Sequence, residues 1–216
     1  MGRLLSAAAL GLVLGAAVSA FEPSLDRRAL EEAISIGQSR VEPPRARFHL
    51  PYRITLGLAP VDFVEVITPF RRVVLAAEGS AKAGRPFGQR EGQQVLASAP
   101  GELTLHVELT LHPHNTYISL PHYDVALREV GTTETVRPRI LDRLSRFGPR
   151  TDGFLIPSPA QQSAGVLPGP GQPLTGGSLI ATFAENTVDP AGVYDVVVME
   201  RNKTLAQGRV SLGRLR

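Results

Sequence analysis

The amino-acid sequence predicts a mainly β, antiparallel sandwich that carries an inserted helical segment and is preceded by a helix. Three observations predict it. Leu103, Leu105, Val107, Leu109 and Leu111 alternate without a fault with Thr104, His106, Glu108, Thr110 and His112, the period-two pattern of an antiparallel strand with one apolar face. The last part of the chain holds three short apolar runs, 178–184, 193–200 and 207–212, with Arg201-Asn202-Lys203 as a hairpin turn between the last two. Between the early and later strand patterns, from Thr68-Pro69 onward, the spacing switches to that of a helix.

Taken in order, residues 1–20 read as a secretory signal peptide. Arg3 supplies the charged start, Leu4 to Val18 the short apolar middle, and Ala17-Val18-Ser19-Ala20 a small-residue cleavage box. The run is shorter than the roughly 20 apolar residues that span a bilayer. Cleavage after Ala20 is therefore expected, leaving a secreted or periplasmic protein that begins at Phe21 and has no membrane span.

Residues 21–45 read as a helix and a Pro-rich linker. Leu25, Ala29, Ala33, Ile34 and Ile36 form an apolar stripe, Ser24 is a suitable N-cap, and Pro43-Pro44 ends the helix as a stiff connector. The sandwich is expected to occupy 46–216. Phe48, Leu50, Tyr52, Ile54, Leu56 and Leu58 alternate with polar residues as a first strand, and 61–67 is a second.

The helical insertion covers about 68–98. Thr68 caps it, Pro69 takes the first helical position, and Phe70, Val73, Val74, Ala77 and Ala81 recur on one face. A second helix over about 89–98 closes at Pro100-Gly101. After the clear strand at 103–112, residues 116–120 and 123–130 continue in β style. Residues 136–147 fit either a helix or a strand, because Ile140, Leu141, Leu144 and Phe147 have helical spacing while Pro138 restricts the start. Six prolines and many glycines over 148–177 predict a long exposed loop.

Ahead of the run at 193–200 stands Asp189-Pro190-Ala191-Gly192-Val193-Tyr194. This D-x-x-G-x-Y spacing resembles the tyrosine corner of immunoglobulin-like sandwiches, in which the Tyr hydroxyl ties down the corner leading into strand F. The resemblance implies an immunoglobulin-like sandwich. Antibody-type domains carry a Cys two residues after that Tyr; here the position is Val196, so an apolar contact stands in place of the disulfide.

Composition narrows the chemistry. The chain has no cysteine, so disulfide staples, thiol catalysis and thiolate metal sites are excluded. The formal net charge is +3, and the densest basic stretch is Arg137, Arg139, Arg143, Arg146 and Arg150. No aromatic residues interleave with it, and export argues against nucleic acid, so a solvated face is the simpler reading.

Four of the five histidines fall between 106 and 122. His106 and His112 lie about 20 Å apart on an extended strand, at about 3.3 Å per residue, so they do not share an ion. His112 and His114 can do so if Pro113 turns the chain, and His122 can join across a hairpin built on 115–121. His112, His114 and His122 are thus the candidate metal ligands, for zinc or copper. The alternative is that they are polar residues at the wet end of a strand. No G-x-S-x-G, Walker, G-x-G-x-x-G or H-E-x-x-H motif is present, so no catalytic residue is assigned. The expected function is an exported, non-catalytic binding or structural module. Its expected partner is another extracytoplasmic protein or envelope component, met through the 148–177 loop and the Arg137–Arg150 stretch. The alternative is a periplasmic zinc- or copper-binding protein; a hydrolase is the third reading.

Overall fold

The computed structural model describes residues 21–112, 114–148 and 173–216. The expected signal peptide, Pro113, Arg150 and most of the predicted Pro/Gly loop lie outside the described residues.

The chain is mainly β, with two antiparallel sheets. Its strands are β1 (Arg53–Leu58), β2 (Val61–Ile67), β3 (Leu103–Thr110), β4 (Tyr123–Glu129), β5 (Thr135–Val136), β6 (Ile140–Phe147), β7 (Leu174–Phe183), β8 (Val193–Glu200) and β9 (Lys203–Ser211). The first sheet runs β1-β2-β3-β7-β6 and the second β5-β4-β8-β9. Leu103, Leu105, Val107 and Leu109 of β3 face Val125 and Leu127 of β4 and Val196 and Val198 of β8 in one apolar core. Ile54 and Leu56 of β1 lie over Gly208 of β9, where a Cβ would collide with them. That contact closes one side of the sandwich.

Among the described residues four α-helices accompany the sheets: α1 (Arg27–Gln38), α2 (Glu42–His49), α3 (Pro69–Lys82) and α4 (Gln89–Ala97). α3 starts where the sequence places it, with the Thr68 hydroxyl accepting the Arg71 N–H at 3.2 Å. α1 is capped by Asp26, which accepts the Ala29 N–H at 2.7 Å, in place of the expected Ser24. Leu30, Ala33, Ile34, Phe70, Val73 and Val74 make a second, smaller core between α1 and α3. Phe48 packs against both cores.

The structure departs from the sequence reading elsewhere too, and decides one point the sequence left open. The expected strand from Phe48 begins only at Arg53, because 42–49 is helical and 50–52 a 3-10 turn. Pro43-Pro44 opens that helix: proline is tolerated in a first turn, whose N–H groups lack intrahelical partners anyway. Residues 116–120 form no strand. Within 136–147, residues 140–147 are strand, since β6 pairs with β7 along its length. Lastly, β7 opens at Leu174 rather than Ser178. Gly176 and Gly177 lie inside the sheet, and a Cβ there would strike the Leu109 and Leu144 carbonyls, so these glycines permit close backbone approach rather than a loop.

Candidate functional site

Strand register decides which loops share an end. β3 ends at Thr110, opposite Gly176 near the start of β7; β6 ends at Phe147, opposite Leu174; and β4 begins at Tyr123, opposite Glu200 at the end of β8. The β3–β4 loop, the points where the chain leaves β6 and enters β7, and the β8–β9 turn therefore occupy one end of the sandwich. The last of these is short. Arg201 and Asn202 both have positive φ, 47° and 73°, the type I′ geometry of a two-residue hairpin.

The β3–β4 loop is held from within. Asn115 Nδ2 donates to the carbonyls of His112 (2.7 Å) and Leu174 (2.8 Å), and Asn115 Oδ1 accepts the Tyr117 N–H at 3.1 Å. Leu120 turns inward to join the core against Gly177. Between these anchors Tyr117 is 49% exposed and Ile118 91%. The loop is thus a braced turn that presents an aromatic and an aliphatic side chain to solvent.

The three candidate ligands sit on the same loop. His112, His114 and His122 are exposed. The rings of His112 and His114 lie 5.4 Å apart, and the His114 N–H donates to His112 Nδ1 at 3.2 Å. That bond places the proton of a neutral His112 on Nε2. Among the described residues no set of three or more His, Cys, Asp or Glu side chains is close enough to hold a metal ion. The structure therefore brings His112 and His114 together without His122.

A different polar constellation was not legible in the sequence. On the outer face of the first sheet, Glu65 of β2 stands opposite His106 of β3. Arg71 of α3 donates to Glu65 Oε2 (3.1 Å) and to the Val66 carbonyl (2.7 Å). On the other side, Arg146 of β6 pairs with Glu108, whose second oxygen accepts the Ser178 hydroxyl at 2.9 Å. His106 lies between these two clamped carboxylates. It is 6% exposed, its Nε2 has no hydrogen-bond partner, and Glu108 Oε2 lies 4.0 Å from it. Burial holds its pKa below the ordinary imidazole value, against the opposing pull of Glu108 and Glu65. With both carboxylates already paired, the row is a charge lattice, buried at Glu65, Arg71 and His106 and half-buried at Glu108 and Arg146, that links α3 to β2 and β6 to β3.

Three of the four described arginines of the basic stretch have internal partners. Arg139 pairs with Glu102, Arg143 donates to the Tyr123 carbonyl at 2.9 Å and to Asp124 at 3.2 Å, and Arg146 binds Glu108. These contacts tie edge strand β6 to its neighbours. Charged side chains on an edge strand also discourage pairing with other chains.

Among the described residues no helix is long and apolar enough to cross a membrane. No family model, curated protein or solved structure matches the chain.

Proposed function

We propose that the chain is an exported, non-catalytic binding or structural module with an immunoglobulin-like sandwich, and that it meets its partner through the β3–β4 loop. Strand order supports the fold assignment. With β2, β3, β7 and β6 lettered A, B, E and D, and β5, β4, β8 and β9 lettered C′, C, F and G, the sheets read A-B-E-D and C′-C-F-G, the order of that fold. β1 is then an added leading strand, and α3 with α4 fills the A–B connection. The corner motif supports it too: the Asp189 N–H donates to the Tyr194 hydroxyl at 2.8 Å, at the entry to strand F.

The observation that carries the binding reading is the exposure of Tyr117 and Ile118 on a hydrogen-bonded loop. A fixed Tyr loses little conformational freedom when it binds, and such anchors dominate interface energetics. The partner proposed is an extracytoplasmic protein or envelope component. The test expresses the full chain in a Gram-negative host with a photo-crosslinking residue at position 118 or, as control, at Thr133. The expected result is a mature protein starting at Phe21 outside the cytoplasm, with a discrete adduct from position 118 that Tyr117→Ser abolishes. Retention of residues 1–20 in the cytoplasm, or equal adducts from both positions, overturns the reading.

The adjacent His112 and His114 rings favour a second reading, in which this loop holds zinc or copper with His122 moving in as a third ligand. Binding through His112 Nδ1 would break the bond from the His114 N–H, and binding through Nε2 would require loss of its proton. Titration with zinc or copper at neutral pH tests it. Saturable binding lost in His112→Ala/His114→Ala supports the metal reading; no saturable binding removes it.

A further inference from the structure

The turn between β8 and β9 carries chemistry that the binding reading leaves unused. Of the chain's three asparagines, Asn115, Asn186 and Asn202, only Asn202 has a hydroxyl residue two places on, in Asn202-Lys203-Thr204. That spacing, with no proline between, is the acceptor pattern for N-linked glycan on exported chains. Glu200 stands two places before Asn202, an acidic position that bacterial transferases of this kind also read. Residues 201–204 are all exposed, and among the described residues no hydrogen bond holds the Asn202 or Thr204 side chain. Asn115 differs, its amide being spent on the His112 and Leu174 carbonyls. The turn is also separable from the ladder behind it. Val198 pairs with Ala206 but Met199 with Thr204, so Leu205 is an extra residue, a bulge that sets the last two rungs apart. Opening those two rungs extends residues 200–204 and leaves the strands inward of the bulge paired.

We propose that Asn202 is an acceptor for N-linked oligosaccharide, transferred from a polyprenyl diphosphate donor while the turn is open. The inference rests on the export reading above, because the transfer takes place outside the cytoplasm. Asn202 Nδ2 attacks C1 of the donor's first sugar. A C–N bond forms, the C–O bond to the diphosphate breaks with its electron pair leaving on the diphosphate, and the amide gives one proton to a base of the transferase. The Thr204 hydroxyl and the Glu200 carboxylate make the contacts that align the segment for that attack. Glu200 stands opposite Tyr123 at the start of β4, so the glycan borders the β3–β4 loop and narrows a partner's approach to Tyr117 and Ile118.

The experiment expresses the full 216-residue chain in a Gram-negative host that carries an active bacterial oligosaccharyltransferase and its lipid-linked donor. A second chain repeats residues 198–206 after Arg216 as an unfolded copy of the motif. Intact mass and peptide mapping of the exported protein locate any glycan. The expected result is one glycan on Asn202, abolished by Asn202→Gln and by Thr204→Val and lowered about tenfold or more by Glu200→Gln, the effect of losing one hydrogen bond to a charged group. All three substitutions lie on the surface turn, and unchanged urea midpoints show that the variants fold. A glycan on the appended copy with none on Asn202 overturns the inference, because the folded turn then withholds the acceptor. No glycan on either copy overturns it as well, because the motif is then not read at all. A chain kept in the cytoplasm with residues 1–20 attached fails the export reading instead, and the purified transferase acting on the folded chain in detergent then decides the acceptor by itself.

Discussion

Arg71 and Glu65 form an ion pair 3.1 Å long, in which both side chains are almost wholly removed from solvent. The pair joins α3 to β2 across the boundary between the helical core and the sandwich. Arg71 also lies over the Tyr52 ring, 5.1 Å from its centroid. Burial draws the Arg71 pKa down while Glu65 opposes the shift, so the guanidinium depends on its carboxylate partner.

Removing one partner leaves an uncompensated buried charge. Glu65→Ala is expected to destabilise the protein by about 3–5 kcal/mol, whereas replacing both residues with apolar side chains of similar volume should be close to neutral. Urea unfolding of Glu65→Ala and of Glu65→Leu/Arg71→Met measures the difference. A double variant as unstable as the single one would show that the pair is needed for more than charge balance.

His106 gives stability a pH dependence. Its folded pKa is lowered by burial, whereas the unfolded value is near 6.5. Below about pH 6.5 the unfolded chain binds a proton that the folded chain resists, so stability falls as pH drops and is fully present above that value. By register, its row on the sheet runs Arg53, Glu65, His106, Ile180 and Asp142. Arg71 opposes protonation and Glu108 favours it. His106→Gln should flatten the slope of unfolding free energy between pH 6.5 and 5, measured by urea titrations at stepped pH.

Tyr194 tests the corner. Tyr194→Phe removes the acceptor for the Asp189 N–H but preserves the ring in the core, and should cost about 1–3 kcal/mol. The loss should appear as a lower urea midpoint with an unchanged slope. An unchanged midpoint would mean that the Asp189–Gly192 turn holds without the hydroxyl.

The β3–β4 loop should separate surface from core within four residues. Ile118→Ser and Tyr117→Ser are expected to change stability by no more than about 0.5 kcal/mol. Leu120→Ala, which empties a site against Gly177, should cost about 2–5 kcal/mol. Thermal unfolding of the three variants distinguishes these classes.

The inward face of β3 was legible because alternate residues of a strand point to opposite faces, and Leu103, Leu105, Val107 and Leu109 obey that rule without exception. The same rule misled about its other face. Thr104 and His106 are buried, covered by charged side chains from α3 and β6 that lie more than thirty residues away in the chain. Thr104 accepts a hydrogen bond from Arg72 of α3 at 3.0 Å. The candidate histidines were found by composition, yet spacing along the chain did not separate His122 from the pair that meets. Tyr117 and Ile118 carried only a weak signal, two turn-forming residues (Asn115 and Pro121) bracketing a short apolar run.

By itself the sequence determined the features that depend on neighbours in the chain. Those are the period-two strands, the Thr68-Pro69 start of α3, the Arg201-Asn202 turn and the absence of any thiol chemistry. Tertiary structure alone decided what depends on pairing across distance. β7 made a strand of residues 140–147, whose spacing suited a helix equally well. Arg71 and Arg146 turned an apparently wet strand face into a largely covered charge row, and the sandwich core took in Phe21. The physical reason is common to all three: burial and hydrogen-bond partners belong to the folded assembly, and local periodicity records only which side of an element is apolar.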